Sequence, residues 1–290
     1  KFGDLPAFLA GLLGILRSKM SSEGAPMISL SFNARTCFDT IAHHLPQTPA
    51  GRLKHILLLA SIGFLAALFT GCGSTTLFQS SFDSNTVGAP PSHNQSTGTI
   101  DVSNGPGATV TIVSVPPSAT GNWAQIQRIG GPGTPVPTMQ CNLSQPPQDG
   151  SYTLLAVLYI PSGSGLATVE FDTSSQSGPP SQGFLHLDFG DFTVNNKVYT
   201  NAVRVNDDSR LLFGNFPRDQ FFTVAVTLEV SSSVAIAHMR LYGSGASGNL
   251  DLNNITPLSL ARQFGEVKFY MGFPWNGSFD TTNILVTRKN

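Results

Sequence analysis

The segment from Gln220 to Val230, QFFTVAVTLEV, alternates without a break. Phe222, Val224, Val226, Leu228 and Val230 fall on one side; Phe221, Thr223, Ala225, Thr227 and Glu229 fall on the other. A two-residue period sustained this long fits a strand with one buried face and does not fit a helix. Tyr152 to Ile160 is apolar on both sides, as a strand in the middle of a sheet is. Similar runs lie near 108–115, 123–129, 166–172, 183–189, 197–205, 233–242, 267–273 and 283–288, and Leu77 to Phe82 reads as one more. Turn clusters separate them: Pro161-Ser162-Gly163-Ser164-Gly165, Gly178-Pro179-Pro180, Asn206-Asp207-Asp208 and Gly243-Ser244-Gly245. The one helical candidate in this part of the chain is short, around Pro257 to Phe264. Many short strands with this punctuation predict an all-β domain, an antiparallel sandwich or barrel. Residues 83–107 are rich in Ser, Asn, Gly and Pro and read in part as linker.

Only 11% of the 290 residues are charged, and the net charge is −1. That balance argues against a nucleic-acid partner, which calls for a basic excess. Three cysteines make no disulfide framework, and no CxxC pair points to zinc. No phosphate-binding loop, dinucleotide fingerprint, H-E-x-x-H or nucleophile elbow stands in a suitable context.

Residues 51–72, GRLKHILLLASIGFLAALFTGC, hold a basic patch (Arg52, Lys54, His55), an apolar run from Ile56 to Leu68, and then Phe69-Thr70-Gly71-Cys72. The run is too short for a comfortable bilayer crossing, which takes about 20 residues, but suits a signal peptide. The pattern resembles the lipobox of bacterial lipoproteins. That resemblance implies a helical signal segment over 53–71, cleavage before Cys72 and lipidation of Cys72. It also implies a bacterial cell-envelope location, at the outer membrane in a Gram-negative source because Gly73 rather than Asp follows the cysteine. The chain begins with Lys1, and residues 1–52 are expected to be a leader foreign to the native product. Residues 72–76 would be a lipidated tether and 77–290 the sandwich. From Cys72 onward there are 10 Lys+Arg against 14 Asp+Glu, about −4. Cys141 then stands alone and reads as a small buried hydrophobe rather than a nucleophile.

Ser81-Phe82-Asp83 with Val87-Gly88-Ala89-Pro90-Pro91, and Gly277-Ser278-Phe279-Asp280 with Asn283 to Thr287, resemble the opening and closing strands of concanavalin A-like jelly-roll domains. The resemblance implies two stacked antiparallel sheets, adjacent first and last strands, and a concave face suited to glycans. Structural calcium accompanies such folds, with Asp83 and Asp280 as candidate ligands.

Several polar residues sit on otherwise apolar strands. Glu170 and Asp172 share one face of Val169-Glu170-Phe171-Asp172. This resembles the E-x-D-x-x-E strand of family-16-like glycoside hydrolases, with Ser175 in the place of the last Glu. A retaining glycosidase needs two carboxyl groups about 5–5.5 Å apart, so the pattern lacks an essential partner. His186 and Asp188 share a face, as do His238 and Arg240, and Arg204 alternates with Val203 and Val205. Together these residues would line one concave surface; the alternative is the solvated face of an ordinary sheet. His, Tyr and Arg on such a face also suit a polysaccharide lyase, and Lys268-Phe269-Tyr270-Met271-Gly272 resembles an alginate-lyase strand with altered spacing. Trp275, in a Pro-Trp-Asn-Gly turn, and Tyr270 are candidate sugar platforms.

These residues favour a lipid-anchored binding module for a glycan or another surface component. The alternatives are a carbohydrate-active enzyme, lyase or hydrolase, on the same fold, and a structural envelope protein. Glycan arrays, an absorbance assay for lyase products and the geometry of the polar residues discriminate among them.

Overall fold

In the computed structural model, residues 73–114, 121–175, 180–272 and 275–289 are described. The expected alternation becomes a chain of strands: β1 Ser74–Ser80, β2 Thr99–Ser103, β3 Ala108–Val113, β4 Trp123–Arg128, β5 Thr138–Asn142, β6 Gly150–Tyr159, β7 Ala167–Thr173, β8 Gly183–Val194, β9 Lys197–Val205, β10 Asp208–Phe213, β11 Phe221–Val230, β12 Ala235–Tyr242, β13 Asn249–Leu252, the helical turn α1 Leu258–Ala261, β14 Phe264–Met271 and β15 Gly277–Lys289. They form two antiparallel sheets packed as a sandwich. The eight-stranded sheet runs β13-β12-β11-β6-β15-β4-β3, with β1 also on β15; the seven-stranded sheet runs β10-β9-β8-β7-β14-β5-β2. The first and last strands pair, Ser74 opposite Lys289 and Ser80 opposite Ile284. β1 begins at Ser74, so residues 74–76 lie in the sheet and not in the expected tether.

The core fills the space between the sheets. Leu154, Ala156 and Leu158 of β6 and Phe222, Val224 and Val226 of β11 face Phe171, Leu187, Phe189 and Phe269 from the other sheet. Phe216 bridges the layers, 5.8 Å from Phe189 and 5.5 Å from Phe222 between ring centroids. Each such ring removed from water contributes roughly 2–3 kcal/mol. Cys141 is wholly buried in this core, and burial pushes its thiol far above the ordinary range; it is a packing residue. A second, smaller cluster of Trp123, Val157 and Tyr159 lies on the outer side of the eight-stranded sheet.

Two short hairpins fix the strands that matter most below. β8 and β9 are joined by Asn195-Asn196, and β9 and β10 by Asn206-Asp207, all four with φ between +50° and +63°. Two successive left-handed residues make the turn whose twist matches antiparallel strands, and Asn and Asp tolerate that conformation best. The predicted turn at 206–208 is therefore present, though Asp208 already opens β10.

β2, β5, β10 and β13 were not foreseen. They are short, four to six residues each, and all four lie at or beside a sheet edge. The predicted linker over 83–107 thus contains an edge strand. The expected signal segment 53–71 and Cys72 lie outside the described residues.

Candidate functional site

Alternation along the middle strands of the seven-stranded sheet turns one set of side chains into the core and the other outward. From β7, Val169 and Phe171 go inward; Thr168, Glu170 and Asp172 go outward. From β14, Val267, Phe269 and Met271 go inward; Glu266, Lys268 and Tyr270 go outward. β8 contributes His186 and Asp188 to the outer face and β9 contributes Arg204, while β5 adds Gln140 and Asn142. Register then sets the neighbours. Glu170 stands between His186 and Lys268, Thr168 between Asp188 and Tyr270, and Asp188 opposite Arg204.

The side chains reach diagonally and tie the rows together. Tyr270 Oη donates to Glu170 Oε2 at 2.5 Å. Lys268 Nζ contacts Asp172 Oδ2 and donates to Ser181 Oγ at 2.8 Å. Thr168 Oγ1 donates to Asp188 Oδ1 at 2.7 Å, and Arg204 Nη2 donates to Asp188 Oδ2 at 2.9 Å and also to Asp207. His186 Nε2 lies 3.4 Å from Asp207 and 3.7 Å from Asp188. The Arg204 guanidinium rests over the Phe192 ring, 4.7 Å from its centroid. Gly183 makes room for the centre of this array. A Cβ there would stand 2.3 Å from Glu170 Oε1.

Glu266 was not singled out by sequence, although FGEVKFYM alternates and puts it on the same side as Lys268 and Tyr270. It pairs across with Asp172, and its Oε1 accepts the Ser175 N–H at 2.5 Å. Asp172 and Glu266 are both 0% exposed. Asp172 Oδ1 and Glu266 Oε2 are buried without a hydrogen-bond partner among the described residues. Burial, reinforced by the neighbouring Glu170, pushes the Asp172 carboxyl up to about 7 against the opposing pull of Lys268. Burial and the Glu170 carboxylate also push the Tyr270 hydroxyl well above its ordinary value, so it acts as a hydrogen-bond donor and not as a ready base.

Of the residues expected on one surface, Glu170, Asp172, His186, Asp188, Arg204 and Tyr270 do share the outer face of the seven-stranded sheet. His238 and Arg240 do not. They belong to β12 of the other sheet, where both bond Asp251 Oδ1 at 2.9 and 2.8 Å. Alternation alone told which residues share a strand face, but not to which sheet the strand belongs. Trp275 sits in the turn after β14, its N–H bonded to Gly272 O at 3.0 Å, and is 48% exposed.

The calcium candidates have different surroundings. Asp83 accepts from the Asn122 N–H at 3.3 Å. Asp280, on β15, accepts from Gln125 Nε2 at 3.1 Å and is pushed up to about 6 by burial. Calcium takes six to eight oxygen ligands, and the described surroundings of these two residues do not form such a cage. One group of three ligand-type residues exists among the described residues, His186, Asp188 and Asp207. Arg204 already donates to both of its carboxylates, which does not fit a resident cation.

No family model matches the chain, and no curated protein matches it. Among solved structures it is similar to a carbohydrate esterase from the Shiga toxin-encoding bacteriophage phi24B (TM-score 0.47, 10% identity, 75% of this chain and 100% of that one). It is also similar to a GH131 beta-glucanase catalytic domain from Podospora anserina (TM-score 0.46, 11% identity, 73% and 95%). A third similar structure is lectin II from Ulex europaeus (TM-score 0.43, 13% identity, 75% and 98%).

Proposed function

We propose that the protein is a glycan-binding module of the bacterial cell envelope and that it binds a neutral glycan on the outer face of the seven-stranded sheet. The observation that carries this is the continuous array of donors and acceptors from Arg204 through Asp188, Glu170, Tyr270 and Lys268 to Gln140. Sugar hydroxyls both donate and accept, and such a surface can answer both roles.

Charge favours a neutral ligand. Leaving aside Asp172, whose carboxyl burial raises to about 7, the array and its flank hold Glu170, Asp188, Asp207 and Glu266 against Lys268, Arg204 and a part-exposed His186. A uronate would meet net negative charge, which disfavours the substrate of a lyase. Burial favours binding over hydrolysis. Asp172, Asp188 and Glu266 lie beneath the surface, which leaves Glu170 as the carboxylate at the centre of the array. Hydrolysis with retention needs a second one in reach.

The anchor belongs to the same reading. The basic patch, apolar run and Gly71-Cys72 support lipidation of Cys72, and with it attachment to the envelope, at the outer membrane in a Gram-negative source. β1 starts at Ser74, which would stand the sandwich almost directly on the lipid.

A glycan array probed with the protein, alongside an absorbance assay for unsaturated lyase products, tests the proposal. Retention on neutral glycans with no product is the expected result. Product formation would move the protein to the enzymes, and silence in both assays would leave a structural envelope role.

A further inference from the structure

Arg128 is the largest fully buried side chain among the described residues, at 0% exposure, and it is held by backbone carbonyls. Its guanidinium donates to the carbonyls of Thr134 at 2.9 Å, Pro135 at 3.2 Å and Trp275 at 2.9 Å, and approaches Asn276 Oδ1 at 3.5 Å. A planar fork with five donors suits this task, and burying it without acceptors would be costly. The result is a clamp joining the β4–β5 connection to the turn before β15. Asn276 extends it, taking the Gly130 N–H at 3.3 Å on its side chain and the Gly165 N–H at 2.9 Å on its carbonyl.

Trp275 is held by this clamp, yet its own side chain stays 48% exposed. It lies against Gly165, where a Cβ would come within 2.4 Å of Trp275 Cβ. The backbone is fixed from three directions while the indole faces solvent. A large side chain kept in the open on a rigid base loses little freedom when something stacks on it.

From this we infer that Trp275, positioned by Arg128, is a stacking platform for a pyranose ring of a neutral glycan. The inference rests on the glycan-binding reading and deepens it, because it makes an extended chain, rather than a single terminal sugar, the ligand. The platform follows β14, five residues after Tyr270 in sequence, and the ligand inferred is one chain that runs along the sheet face to it. Gly130, Thr134, Gly165 and Asn276 around the clamp bring no carboxylate, and the two cations beside it are engaged, Arg128 within the clamp and Arg218 on the carbonyls of Pro161 and Ser164. The platform also lies at the end of β15 opposite to Ser74, the first residue of β1, about 40 Å away along the strand.

The test is affinity electrophoresis of the full chain in gels holding soluble mannan, xylan, galactan or mixed-linkage β-glucan. It is followed by titration with the di- and hexasaccharide of whichever polymer retards it. Trp275→Ala, which keeps the backbone carbonyl that Arg128 holds, is expected to leave the thermal midpoint unchanged and to weaken hexasaccharide binding at least about tenfold. Trp275→Phe should restore most of that loss, and disaccharide binding to the sheet face should not change. Bound hexasaccharide should also shield Trp275 from acrylamide quenching. Equal hexasaccharide affinity in Trp275→Ala and wild type overturns the platform. If Glu170→Gln still abolishes retardation in that case, the sheet-face reading survives alone. A wild-type protein retarded by none of the four polymers overturns both.

Discussion

Glu266 accepts the backbone N–H of Ser175 at 2.5 Å although the two lie 91 residues apart in the chain. Ser175 is where the E-x-D-x-x-E pattern begun by Glu170 and Asp172 would place its last carboxylate. The neighbouring strand brings one to that spot, but as a buried acceptor. The pattern is completed in charge and not in access. Three carboxyl groups are close in register, and Glu170 is the one the surface presents.

Gly183 is the most direct handle on that carboxylate. Its φ is not in the left-handed range, so alanine carries no backbone penalty there, but the new Cβ would press on Glu170 Oε1. Gly183→Ala is therefore expected to turn Glu170 away and break the bond from Tyr270. Stability should change by less than about 1 kcal/mol, while retention on the neutral polymers should fall severalfold. Unchanged retention would show that Glu170 does not contact the glycan.

Asp172 and Asp280 make stability fall as pH rises. Burial holds their carboxyl groups at about 7 and about 6, above the ordinary value near 4. The folded state therefore prefers the protonated form. Their contribution is intact below the unfolded value and is lost as pH climbs through 6 and then 7. Asp280→Asn keeps the shape and cannot ionise. It should match wild type near pH 4 and exceed it by roughly 2–3 kcal/mol at pH 8. Urea midpoints at the two values check this, and a constant offset at both would count against it.

How far these features could be read beforehand depended on how local they are. The long alternation of β11, the two-sided β6 and the Gly/Pro/Asn turns are local, and they gave the antiparallel sandwich. The facing of Glu170, Asp172, His186, Asp188 and Arg204 was also local, a matter of period two. Sheet membership was not, so His238 and Arg240 were grouped with residues that stand on the other layer. Burial was not local either. Nothing in Val169-Glu170-Phe171-Asp172 says that Asp172 is covered while Glu170 is presented; Lys268, Ser181 and the cross-strand Glu266 decide that. Arg128 shares the inward face of β4 with Ile126, a place the alternation gives to an apolar residue, and its buried role depends on carbonyls from distant turns.

Arg128→Ala should be among the more damaging single changes. It removes the buried donor shared by the carbonyls of Thr134, Pro135 and Trp275 and empties the space the side chain fills, and a hydrogen bond lost in such a place costs about 1–3 kcal/mol. A loss of roughly 3 kcal/mol or more is expected in urea unfolding. Arg128→Lys should recover little of it, since one ammonium cannot serve acceptors spread around a planar fork. A loss below about 1 kcal/mol would mean the clamp contributes little.

The distance between Cys72 and the fold sharpens the prediction for the anchor. Ser74 is already paired with Lys289, so Gly73 alone separates the cysteine from the sheet. One acyl chain gives marginal, reversible attachment, while two or more hold firmly. With the lipids that the lipobox pattern implies, wild type should remain with membranes through a high-salt wash that strips electrostatic contacts. Cys72→Ser should move to the soluble fraction with its thermal midpoint unchanged, because the residue lies ahead of the first strand. Cys72→Ser protein that still sediments with membranes after the salt wash would refute lipid anchoring at this position, and metabolic labelling with an alkyne fatty acid would distinguish that result from incomplete processing.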